Sequence, residues 1–131
     1  MPKQIFVNLP VKDLKRSMTF FDALGFGFDA KFTNDQAACL VIGDNIFAML
    51  VTEPFFKTFT DKELCDAKKS TEVLVALSCD SRAHVDNLVA KAKAAGGTAP
   101  RASQDHGFMY GHGFEDIDGH IWDLFYMEPQ N

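Results

Sequence analysis

Cysteine is scarce in this chain, and Cys39, Cys65 and Cys79 lie far apart with no Cys-x-x-Cys pair among them. An odd, scattered set excludes a disulfide framework and suits a reducing compartment. Long apolar runs are also missing. None approaches the ~20 residues needed to span a bilayer, so no membrane partner is expected. No basic segment leads from Met1-Pro2-Lys3-Gln4 into an apolar stretch, and a cytoplasmic location is therefore expected. Positive charge is in deficit: 13 Lys and Arg stand against 18 Asp and Glu, a net charge of −5. That balance disfavours phosphate backbones, and no nucleic acid is expected as a partner. With one Trp and two Tyr, nearly all of the aromatic surface must come from 13 Phe.

At 131 residues and 47% hydrophobic, the chain is long enough for one domain that buries roughly two thirds of its unfolded surface. It repeats itself. An apolar strand, Ile5-Phe6-Val7-Asn8-Leu9-Pro10-Val11, runs into Asp13 and a helix that stops at Gly25. The second copy is Val73-Leu74-Val75-Ala76-Leu77-Ser78, then Asp80 and a helix that stops at Gly96-Gly97. Asp13 and Asp80 are separated by close to half the chain. Two copies of a curved sheet, each with one unburied face, are expected to close on each other around a cavity. The domain 1–131 is thus read as modules 4–52 and 72–127 joined by a connector, 53–71.

In the first module, Asp13 caps a helix over 14–24 in which Leu14, Met18 and Phe21 recur at i, i+4 and i+7. Phe26 to Phe32 alternates as a strand with one wet face, and 37–42 and 45–52 form a hairpin about Gly43-Asp44, a pair suited to positive φ. The connector carries Pro54, Phe55, Phe56 and Phe59, then Thr60-Asp61-Lys62-Glu63, whose spacing predicts a capping box and a short helix to about Ala67. Its phenylalanines need cover, as a link folded back on the sheet, or else as a lid or a patch for a second subunit. In the second module, Asp80 or Ser81 caps a helix with Val85, Leu88, Val89 and Ala92 on one face. Strands come next at 98–103, 108–114 and 121–126, the last two joined through a turn at Asp118-Gly119.

The segments Leu9-Pro10-Val11-Lys12-Asp13-Leu14, Leu24-Gly25-Phe26 and Asp116-Ile117-Asp118-Gly119-His120-Ile121-Trp122-Asp123-Leu124 resemble the vicinal oxygen chelate superfamily. This is the glyoxalase, bleomycin-resistance and ring-cleaving dioxygenase group, and the resemblance covers nearly the whole chain. It implies an α+β fold of two βαβββ modules forming a half-open eight-stranded barrel with the helices outside. It also implies a homodimer and a ligand or metal on the concave face. Metal-using members take His, Gln or Glu ligands from the first and last strand of each module. On this chain those positions fall on Phe6, on the stretch Phe47 to Leu50 with Ala48 or Met49 foremost, on Leu74 and on Asp123. One carboxylate among four does not hold a divalent ion, so no metal and no cofactor are expected.

Period-two alternation puts Tyr110, His112 and Phe114 on one face of a strand and Ile121, Asp123 and Phe125 on one face of the next. His112 and Asp123 are therefore expected to face each other across the sheet, with Asn8 on the same side as Phe6. A cluster of His112, Asp123 and Asn8 is the one route to a rebuilt metal site, although a lone His beside a carboxylate is more often a hydrogen-bonded pair. His106 reaches a site only by folding inward, and His84 and His120 read as structural or exposed. Asp123, flanked by Ile121, Trp122, Leu124 and Phe125, must be hydrogen-bonded, paired or in a wet cavity. As a functional group it is an acid, a base or an anchor for a cationic ligand.

The first functional reading is a resistance-type protein that binds a small aromatic or amphipathic molecule in the cavity between the modules. Its expected contacts are Phe6, Asn8, Met49, Leu74, Tyr110, His112 and Asp123. The second is a divergent glyoxalase-like lyase or dioxygenase that uses a metal or an Asp123 and His112 acid-base pair, these two being the candidate catalytic residues. In a third, the cavity is filled by side chains and the dimer is the working part. No motif names a substrate.

Overall fold

Asp13 starts the first helix because its carboxylate accepts from the Arg16 amide at 3.2 Å, satisfying one of the free donors of the opening turn. Ser81 does the same for the long second-module helix, accepting from the His84 amide at 3.0 Å. Gly25 and Gly96 end these helices at φ of +98° and +108°, where a side chain would be strained. The computed structural model describes residues 1–129 and divides into two compact units, Met1–Cys65 and Asp66 onward.

The first unit holds β1 (Ile5–Val11), α1 (Leu14–Ala23), β2 (Gly27–Asp29), a single 3-10 turn (Ala30–Phe32), β3 (Ala37–Gly43), β4 (Ile46–Thr52) and α2 (Glu53–Phe56). Its sheet order is β1-β4-β3-β2, with β1 parallel to β4 and the other pairs antiparallel. Leu9, Val11, Leu40, Ala48 and Leu50 are buried together with Leu14, Phe20, Phe21 and Leu24 of the α1 segment. Each large apolar side chain among them contributes about 1.5–3 kcal/mol of burial.

The second unit holds β5 (Leu74–Ser78), α3 (Arg82–Ala94), β6 (Gln104–Asp105), β7 (Met109–Glu115) and β8 (Ile121–Met127), in the order β5-β8-β7-β6. Again the first strand is parallel to the last. Val85, Leu88, Val89 and Ala92 of α3 are buried, as are Phe114, Trp122 and Leu124 of the sheet. Each unit is therefore one βαβββ module, and the fold is α+β.

Four local expectations change. The strand expected over 26–32 stops at Asp29, whose carboxylate accepts from the Lys31 amide and whose carbonyl accepts from the Thr33 hydroxyl, turning the chain early. Among the described residues none other than glycine has positive φ, and Gly43 does not either, so the hairpin turns through a register shift between Val41 and Gly43 instead. The connector's helix is Glu53–Phe56, led by Pro54, rather than a helix after Thr60. There the Thr60 hydroxyl accepts from the Lys62 amide, two residues on, which closes a local turn instead of a capping box. Finally, the strand expected over 98–103 is reduced to a bridge between Thr98 and Glu115 and the short β6, because Pro100 has no amide to give a ladder.

Candidate functional site

The second unit's sheet has two unlike faces, and its register decides what each carries. Glu115 pairs with Ile121, Gly113 with Asp123, His112 with Leu124 and Tyr110 with Tyr126. Directly opposed residues point to the same side of a sheet. Tyr110, His112, Phe114, Trp122 and Leu124 thus share one face, and Gly111, Gly113, Glu115, Ile121, Asp123 and Phe125 share the other.

The first of these is the α3 face. The Tyr110 hydroxyl donates to Asp86 of α3, an acceptor that raises the Tyr110 pKa above its ordinary value. Arg82 stands 5.3 Å over the same ring and donates to Asp105 at 2.7 Å, to the Gly107 carbonyl at 2.9 Å and to Glu128 at 3.4 Å. That guanidinium holds Asp105 below the usual carboxylate range and ties β6 and the loop after it to the start of α3. His112 Nε2 lies 3.0 Å from the Arg101 carbonyl, a contact that requires the proton on Nε2.

Here the sequence-based pairing of His112 with Asp123 is corrected. The two residues lie on opposite faces, because a register one residue away from the expected one turns every side chain over. Tyr110 does not line the pocket that holds Asp123, and His112 borders that pocket while its side chain belongs to the opposite face of the sheet.

The turn that sets this register is built around Asp116, which is 5% exposed. Its carboxylate accepts from the Asp118 and His120 amides at 2.9 and 3.1 Å and from the buried Trp122 indole at 3.0 Å. Burial raises the Asp116 pKa, with the nearby His120 and the indole donor working against that rise. Gly119 completes the turn at φ +94°, as its Asp-Gly sequence leads one to expect.

The other face carries a pocket of about 340 Å³ within the second unit. Ala76, Gly111 and Gly113 make its floor, and Met109, Ile121 and Phe125 line it with apolar surface. Asp123 sits at the centre of this floor, opposite Ala76 on one side and Gly113 on the other. Its carboxylate occupies the space that a side chain at 113 would fill, since a Cβ there would stand 2.6 Å from Oδ1. The Asp123 carboxylate has no hydrogen-bond or ion-pair partner among the described residues. Of the three situations open to it, a place in a pocket is the one the geometry matches. Leu74 shares this face at its edge, opposite Ile121, and is 54% exposed.

His106 and Gln104 border the pocket and are both exposed. Sequence reasoning missed Gly111 and Gly113. Two glycines at i and i+2 in a strand mark a face left bare for close approach, and Gly111-His112-Gly113 was the available signal.

In the first unit, Phe6 pairs with Phe47 and Asn8 with Met49 in the parallel ladder, so all four share the face away from Leu9, Ala48 and Leu50. The Phe6 and Phe47 rings stack at 4.8 Å with 13° between planes. Asn8 Nδ2 donates to the Phe6 carbonyl at 3.2 Å. Ala48 is 1% exposed on the opposite face, so of Ala48 and Met49 only Met49 shares the face of Phe6.

Residues 3–43 match the family model described as bleomycin resistance protein-like N-terminal. The chain is similar to a hypothetical protein from S. aureus, with 29% identity and a TM-score of 0.82 over 96% of this chain and 95% of that one. It is also similar to a glyoxalase/bleomycin resistance protein/dioxygenase family enzyme from Burkholderia phytofirmans PsJN, with 18% identity and a TM-score of 0.79 over 93% of this chain and 96% of that one. A fosfomycin resistance protein from Listeria monocytogenes matches at 16% identity and a TM-score of 0.69, over 100% and 95% of the two chains. The fold is that of the glyoxalase/bleomycin resistance/dioxygenase neighbours, and it supports the resemblance to the vicinal oxygen chelate superfamily. No curated protein matches it.

The positions at which the resemblance implies metal ligands fall on Phe6, on Ala48 or Met49, on Leu74 and on Asp123. A phenyl ring and an isobutyl group donate nothing, a thioether is too soft for the hard oxygen or imidazole sites of this superfamily, and a single carboxylate remains. Among the described residues, no three His, Cys, Asp or Glu side chains gather closely enough to hold an ion. The residues present do not fit the metal.

Proposed function

We propose that the protein binds a small aromatic or amphipathic molecule on the pocket face of its second module, without a complete metal site. The observation that carries this reading is the pocket itself: an apolar wall, a glycine floor and one central carboxylate. Its volume of about 340 Å³ lies within the span of ordinary ligand sites, about 300–1,000 Å³. The acid-base enzyme reading is weakened, because the His112 side chain belongs to the opposite face from Asp123 and is bonded to the Arg101 carbonyl. The protein works as a homodimer, as its resemblance to the vicinal oxygen chelate superfamily suggests, and three cysteines outside any disulfide are in keeping with the cytoplasm. No helix among the described residues is long and apolar enough to cross a membrane.

Thermal shift with neutral aromatics such as indole and 2-phenylethanol tests the reading. The melting temperature should rise with ligand concentration in the wild type. Gly111→Val, which fills the floor, should blunt the response, and Gly111→Ala should weaken it with less risk to folding. A wild type that responds to none of these compounds would overturn the proposal. So would stoichiometric nickel, zinc, iron or manganese found by elemental analysis and lost in Asp123→Ala.

A further inference from the structure

We infer that the pocket recognises an organic cation, an ammonium group on an apolar body, through Asp123 and Glu115. The inference rests on the pocket being the binding site and adds the chemistry of its ligand. Glu115 pairs with Ile121 and Gly113 with Asp123, so Glu115 and Asp123 are diagonal neighbours on the pocket face. Sheet geometry puts such neighbours about 7–8 Å apart. One ammonium group seated over the floor between them reaches both carboxylates.

Neither carboxylate has a hydrogen bond or ion pair among the described residues. Around Asp123 the floor offers no polar side chain, since its direct cross-strand neighbours are Ala76 and Gly113. A carboxylate in apolar surroundings gains most from a counter-charge that arrives with its own apolar cover. Met109, Ile121 and Phe125 supply the matching wall. Arg101 and His106 border the same pocket, yet neither forms an ion pair with Asp123 or Glu115.

An anion is disfavoured by both carboxylates. A divalent metal ion is disfavoured because two separated carboxylates fall short of the three or more protein donors it needs. An ammonium group, with three donors and no fixed coordination geometry, suits two separated acceptors. The net charge of −5 adds a general field in the same direction.

The test compares 2-phenylethylamine, protonated at neutral pH, with 2-phenylethanol by calorimetry at low salt. The amine should bind the wild type at least about tenfold more tightly. Asp123→Asn keeps the shape of the side chain and breaks no protein contact. It should remove most of the preference, read as the ratio of amine to alcohol affinity, and Asp123→Asn with Glu115→Gln should remove the rest. Equal affinities for amine and alcohol in the wild type would overturn the inference and leave the pocket reading standing. Binding of neither would overturn both. A preference that survives in the double variant would place the cation elsewhere and overturn the inference.

Discussion

Gly113 lies directly across the ladder from Asp123, and a Cβ on it would stand 2.6 Å from the Asp123 carboxylate and 3.2 Å from the Trp122 carbonyl. The missing methyl group is therefore what lets the acid lie flat on the pocket floor. Gly111, two residues earlier on the same face, is different: its Cβ would meet only the Leu124 carbonyl, at an ordinary 3.5 Å.

The first prediction compares these two glycines. Gly113→Ala should destabilise the fold by about 1–3 kcal/mol, because the new methyl must displace both a carboxylate and a backbone carbonyl. Gly111→Ala should change stability by no more than about 0.5 kcal/mol, since the contact is ordinary and the loss of glycine's unfolded-state freedom favours folding. Urea unfolding of the two variants beside the wild type measures both. Equal losses would show that the approach to Asp123 is not the restricting contact.

A second prediction concerns Asp116. Replacing it with Ala strands the buried Trp122 indole N–H and frees two turn amides, at a cost of about 2–4 kcal/mol. Trp122 is the only tryptophan, so its emission reports the same site directly. The emission should shift in Asp116→Ala even where the protein remains folded. Trp122→Phe in the Asp116→Ala background should recover part of the stability, because the orphaned donor is gone.

The same carboxylate shapes the pH dependence. Burial raises its native pKa above the ordinary 3.8, so the native chain holds this proton more tightly than the unfolded one. Its contribution to stability is full below the unfolded pKa and is lost as pH rises through the native value. Asp105 works oppositely: Arg82 lowers its native pKa, so its contribution is present above the unfolded pKa and is lost as pH falls through the native one. Asp116→Asn isolates the first effect. The unfolding free energy of the wild type minus that of Asp116→Asn should decline as pH rises from about 3 and then level off. A difference that climbs with pH would contradict the raised value.

Much of the fold is legible in the sequence because its signals act over one turn. Asp13 and Ser81 cap the helices that begin beside them, Gly25 and Gly96 stop those helices, and the apolar periods of Leu14, Phe21, Val85 and Leu88 face the buried side. Two kinds of information are not local. The first is register: the β7 and β8 pairing is set by a turn held together by the Asp116 carboxylate, and a difference of one residue separates His112 from Asp123. The second is competition between local hydrogen bonds, as where Asp29 shortens β2 and where Thr60 closes on Lys62 instead of starting a helix. The pocket eluded a reading that looked for ligand-type side chains, since much of its floor is shaped by atoms that Gly111 and Gly113 do not have.

The last prediction concerns how the edge of the pocket is held. Gln104 and His106, which border it, sit on the short β6 and the loop after it, and that segment is tied to α3 through Arg82. Beyond this tie its local ladder is thin. The His106 amide donates to the Met109 carbonyl and the Glu128 amide to the Phe108 carbonyl, each at 2.8 Å. Arg82→Gln keeps a polar, helix-compatible side chain but removes the fork that spans Asp105, Gly107 and Glu128. Hydrogen exchange should then accelerate at the His106 and Glu128 amides, while amides of the buried core at Leu88 and Leu124 keep their protection. Raising salt should loosen the same segment in the wild type, because the pair between Arg82 and Asp105 is partly exposed, and should do little more in the variant. Unchanged exchange at His106 would show that the pocket's edge is held by its backbone ladder alone.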